Sequence, residues 1–100
     1  MITKEKVLLA WSNLKEAGAS GSRMTETLLL TEWAINQHQD GITLVSLYSE
    51  MRRIFSYLRS VTTTNGSETE VKAAVEGLLT ANRIRGEGVF LYPHEQQPQQ

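Results

Sequence analysis

The sequence contains no cysteine and only two prolines, and no apolar run in it approaches the length of a membrane-spanning helix. The missing cysteines exclude a disulfide framework, a thiolate nucleophile and a cysteine-ligated zinc site. They accord with a reducing compartment, so a cytoplasmic location is expected. The start Met-Ile-Thr-Lys-Glu-Lys lacks the apolar centre of a secretory leader. Nor does charge of one sign dominate. Ten Lys and Arg against eleven Asp and Glu give a net charge of −1. That excludes a protein that coats nucleic acid or anionic membrane by bulk charge. Histidine is scarce: His38 and His94 are the only two, and neither has a carboxylate at ligand spacing. A metal site needs several converging ligands, so both read as surface histidines.

Catalytic motifs are missing as well. Gly18-Ala-Ser-Gly21 has neither the lysine nor the preceding strand of a phosphate loop. No local motif sets a nucleophile beside a base. The sequence is therefore read as that of a non-enzyme, with no cofactor and no small-molecule substrate.

What remains is a chain of 100 residues, 40% hydrophobic, which fits one domain with a modest core. Apolar residues at helical spacing mark four helices. The first covers Lys4 to about Ala17, capped by Thr3, with Val7, Ala10, Trp11 and Leu14 on one face. Ala17 to Ser22 reads as a small-residue linker. The second runs from Thr25 or Glu26 to about His38, with Leu29, Leu30, Trp33 and Ala34 inward and Leu28 at the edge. Asp40-Gly41 stops it, because Gly tolerates the left-handed conformation.

Ile42 can form a one- or two-residue strand. Thr43 then caps a third helix, Leu44 to Arg59, with the cleanest period: Leu44, Leu47, Tyr48, Met51, Ile54, Phe55 and Leu58. Val61 to Gly66 breaks it. Ser67 and Glu70 match a capping box for a fourth helix, Glu68 to Ala81, with Val71, Ala74, Val75, Leu78 and Leu79 inward. Two extended runs, Asn82–Arg85 and Val89–Tyr92, flank a turn at Gly86-Glu87-Gly88 and predict a β-hairpin. Pro93 ends it. The polar tail, residues 94–100, has nothing to bury and is expected to be disordered.

The fold class is thus mainly α with a small β-hairpin. The order helix, short strand, helix, helix, hairpin resembles a winged helix-turn-helix domain over about residues 25–93. The segments that carry the likeness are Thr25–His38, Gly41-Ile42-Thr43, Leu44–Arg59, Ser67–Ala81 and Arg83–Tyr92. The closest local likeness is the passage Val71–Phe90, in which a helix ends in paired leucines and leads through Ile84 into the wing. Helix 4–17 is an N-terminal addition.

The resemblance implies a cytoplasmic DNA-binding regulator, bacterial or from a mobile element, with residues 62–72 towards the major groove. Residues 42–67 hold Arg52, Arg53 and Arg59 against Glu50, a local balance of +2. With Thr62, Thr63, Thr64, Asn65, Ser67, Thr69 and Lys72 they define a DNA-facing strip. Arg83 and Arg85 alternate about Ile84, so both should leave one face of the wing and reach phosphate or a minor groove. Their alternative is pairing with Glu87 or packing on Phe90 or Tyr92.

Two departures from the family pattern favour a different use. The second helix of the motif is long and is followed by a seven-residue loop. The recognition-helix counterpart carries Glu68, Glu70 and Glu76 against one Lys72, and carboxylates repel phosphates. The second expectation is therefore a winged scaffold that binds protein, as an adaptor or inhibitor. A homodimer is a further option. The broad stripe Tyr48, Met51, Phe55 and Leu58 is either an interface or is covered by helix 4–17 within one chain.

Overall fold

The computed structural model describes residues 2–18, 22–62 and 66–94, with no side-chain description at Arg23. Thr63, Thr64 and Asn65 of the expected DNA strip lie outside the described residues, as do residues 95–100 of the tail. The order is α1 (Lys4–Glu16), α2 (Arg23–Asn36), β1 (Ile42–Thr43), α3 (Leu44–Tyr57), α4 (Glu68–Thr80), β2 (Ile84–Glu87) and β3 (Phe90–Pro93). The chain is mainly α-helical with one three-stranded antiparallel sheet of order β1-β3-β2. This layout is compatible with a winged helix carrying an added N-terminal helix. No helix among the described residues is long and apolar enough to cross a membrane.

Each helix starts where a hydroxyl takes up a free amide. Thr3 accepts from Lys6, Ser22 from Thr25, Thr43 from Ser46 and Ser67 from Glu70, each at 3.2 Å. Ser22 starts α2 earlier than the expected Thr25. The capping box at Ser67 is complete, because the Glu70 carboxylate accepts from the Ser67 amide at 3.4 Å.

The end of α4 sets up the hairpin. Asn82 adopts a left-handed φ of 59°. The amide of Arg83 donates to the Leu78 carbonyl at 2.9 Å, and that of Asn82 to Leu79 at 3.1 Å. This pair of bonds is a Schellman motif, which ends a helix and turns the chain away from its axis. Asn is the side-chain residue best able to sit there. The turn itself lies later than the spacing predicts. Glu87 pairs with Phe90, which leaves Gly88 and Val89 as a two-residue loop. Only Gly88 has positive φ, +61°, as a tight hairpin with glycine first requires. Gly86 and Glu87 therefore belong to β2.

Helix α2 lies at the centre. It packs most extensively on α4 and also meets α1, α3 and β3. Its buried residues are Thr27, Leu30, Thr31, Ala34 and Ile35, while Leu29 and Trp33 are half-buried. Of the expected inward residues Leu30 and Ala34 are fully buried, whereas Leu29 and Trp33 yield to Thr27, Thr31 and Ile35, because a helix enclosed on several sides need not show one apolar stripe. Around it Leu47, Met51, Ile54, Phe55, Leu58, Val71 and Leu78 complete the core.

Helix α1 adds Val7 and Trp11 and packs on α3. Met51, Phe55 and Leu58 are consequently buried, and Tyr48 is half-buried against the core. The stripe on α3 is therefore covered within one chain and leaves no surplus for an interface.

Two substitutions test this packing. Gly66 has φ +66°, and a Cβ there would run into the Phe55 ring. Gly66→Ala combines left-handed strain with overpacking and should cost roughly 1–3 kcal/mol. Thermal or urea unfolding would read this, and an unchanged midpoint would refute the close approach. Thr31 is fully buried and its hydroxyl has no hydrogen-bond partner among the described residues. Thr31→Val keeps the shape and removes an unpaired polar atom, so stability should rise by about 1 kcal/mol. A loss of that size would mean that the hydroxyl is satisfied in solution.

Candidate functional site

The hairpin is held at its base by two arginines. Arg83 crosses from the start of β2 to Glu32 on α2. Its Nε donates to Oε2 at 2.8 Å and its Nη2 to Oε1 at 3.0 Å. This fork-to-carboxylate geometry is the strongest an arginine offers. The hydrogen bond first, and the carboxylate charge second, hold the Arg83 guanidinium above its ordinary range. Arg83 remains 56% exposed, so solvent screens much of the attraction.

The Arg85 guanidinium lies over the Tyr92 ring, its Cζ 4.5 Å from the ring centre, and pairs with Glu87. Arg83 and Arg85 do face one recess, shared with Glu32, Asn36 and Asn82. Each engages a carboxylate of its own chain with part of its guanidinium, Arg83 through Nε and Nη2 to Glu32 and Arg85 through Nη1 to Glu87.

The other basic residues behave differently. Arg52 and Arg53 on α3, Arg59 beyond its end, and Lys72 on α4 are exposed and form no ion pair among the described residues. Thr69 is exposed on α4, and Ser67 is used in the cap. Thr62 donates to Glu26 at 2.6 Å and ties the loop to α2. His38 meets Glu50 at 2.7 Å, linking the end of α2 to α3.

Between the start of α3, one flank of α4 and the hairpin lies an open apolar groove of about 520 Å³. Leu79, expected inward, is 36% exposed along it. Val45 is 74% exposed, Val89 72% and Phe90 41%. The groove floor is Val75 and Leu91, and Lys72 and Glu76 stand on its rim.

Sequence pattern had not pointed to this site. Val45 falls off the inward stripe of α3, and Val89 occupies a turn position where a polar residue is usual. An apolar residue at each of those places is the signal that was there to read. Gly86 matters too. A Cβ on it would stand 3.6 Å from Leu79 Cδ2 and 3.8 Å from Leu91 Cδ2, so any side chain there would enter the groove.

Comparison of the chain with models of protein families, with characterised proteins and with solved structures finds no match.

The Glu32–Arg83 pair lends itself to a double-mutant cycle. Glu32→Gln and Arg83→Gln, alone and together, should give a coupling no larger than about 1 kcal/mol. The coupling should shrink as salt rises from low to near-molar concentration. Chemical denaturation with urea measures it. A coupling of zero at low salt would mean that the hairpin base is held by the Schellman turn alone.

Proposed function

We propose that the chain is a winged-helix scaffold that works by binding protein through the groove between α3, α4 and the hairpin, without a cofactor. One observation carries this reading. Val45, Leu79, Val89 and Phe90 are exposed side by side on a surface whose floor is apolar. Exposed apolar side chains gathered in one place, and not scattered, are the usual mark of a protein contact.

The flank of α4 supports the same reading. Glu68 and Glu76 are exposed with a single Lys72 between them, and carboxylates next to phosphates are repulsive. The two arginines of the hairpin are engaged by Glu32, Glu87 and Tyr92.

A second reading, a DNA-binding regulator, rests on Arg52, Arg53, Arg59 and Lys72, which are exposed and unpaired among the described residues. In it those four residues contact phosphates, Thr69 approaches the bases, and Arg83 and Arg85 exchange their present partners for the backbone.

The two readings separate in one pair of measurements. Fluorescence anisotropy with a random-sequence duplex at low salt should give binding weaker than about 100 µM. A photo-crosslinking residue at position 89 should label a polypeptide, and Leu79→Asp should abolish the label. Tight binding to DNA that falls steeply with salt, with no crosslink to protein, would overturn the proposal in favour of the second reading.

A further inference from the structure

The groove carries a pattern that says which protein fits it. We infer that its occupant is a second copy of this chain, docked about a two-fold axis; this rests on the protein-binding reading of the groove. A two-fold interface uses the same patch twice, so the patch must complement itself in shape and in charge. Both conditions are met on this surface.

The shape condition needs a projection beside a recess. Val89 stands at the hairpin tip, largely exposed. The groove beside it is floored by Val75 and Leu91, and Gly86 leaves it open. The tip of one copy therefore has an apolar recess to enter on the other, and the same contact recurs by symmetry.

The charge condition needs a cation and an anion equally placed about the axis. Lys72 and Glu76 lie four residues apart on the α4 flank that borders the groove. Residues at that spacing share one helix face. A two-fold axis passing near residue 74 sets the α4 helices antiparallel. Lys72 then faces Glu76 of the second copy, and Glu76 faces its Lys72. The whole chain carries a net charge of only −1, so two copies repel each other little at long range.

Sedimentation equilibrium of the full chain, from about 1 µM to about 1 mM, tests this across the range expected of weak to moderate association. A monomer–dimer equilibrium is expected. Lys72→Glu alone and Glu76→Lys alone each place like charges across the axis, and each should weaken dimerisation by about tenfold or more. The double variant K72E/E76K restores opposite charges in the reverse order and should return association to within about threefold of the original. Val89→Asp, at an exposed turn position, should abolish it.

Gly86→Leu fills the recess without adding charge and should do the same. A monomer at every concentration would overturn the inference. So would a dimer indifferent to Val89→Asp and Gly86→Leu. Failure of the double variant to recover would overturn the two-fold pairing of α4. A monomer whose position 89 still crosslinks to a different polypeptide would overturn self-association while leaving the protein-binding reading in place.

Discussion

Helix α2 has to satisfy neighbours on several sides at once, and the other elements are arranged around that requirement. Thr27, Leu30, Thr31, Ala34 and Ile35 are all buried along its fourteen residues. Helix α4 makes with α2 the most extensive contact between elements in the fold, and Gly77 of α4 lies beside Leu28 of α2. Close packing of this kind gains dispersion contacts that larger side chains would prevent. Its cost is polar. The hydroxyls of Thr27 and Thr31 are enclosed without a partner among the described residues, which takes back part of what the packing contributes.

The position of the hairpin follows from that pairing. Helix α4 ends at a left-handed Asn82, and the chain turns at once into β2. Arg83 then reaches Glu32 on the same α2 that α4 packs against. Backbone turn and side-chain fork thus refer the base of the hairpin to one helix. Arg85 over Tyr92 stiffens the pair of strands further along. The groove exists because this base is fixed while the tip, Gly88-Val89, projects beyond the core. In this arrangement the hairpin arginines act as fasteners.

What the sequence makes legible is what local periodicity and capping encode. Helices α3 and α4 are read nearly to the residue, because each is amphipathic and begins at a hydroxyl residue with the right spacing behind it. The strand at Ile42 is legible from a lone apolar residue before Thr43. The inward face of α2 is legible at Leu30 and Ala34 and not elsewhere, since a count of apolar residues passes over Thr27 and Thr31. The turn at Gly88-Val89 is missed by two residues, because three candidate turn positions in a row leave the register open until the strands pair.

The groove is the least legible feature. The Arg83–Glu32 contact joins positions 51 apart, and no local pattern announces it. Leu79 follows Leu78 and looks equally buried until the hairpin is in place to show which of the two faces the gap.

The core makes no demand on the groove's exposed residues. Leu30, Leu47, Met51, Ile54, Leu58 and Leu78 are fully buried without help from Val45 or Val89. A polar residue at either place would leave the helices, the caps and the sheet as they are. Val45 even stands in the first turn of α3, between Leu44 and Ser46, where a charged residue would serve the helix as well. Apolar side chains at such positions add little to stability and expose surface prone to association. Their presence together, around a recess bordered by Gly86, is the feature on which the proposed contact with another surface rests.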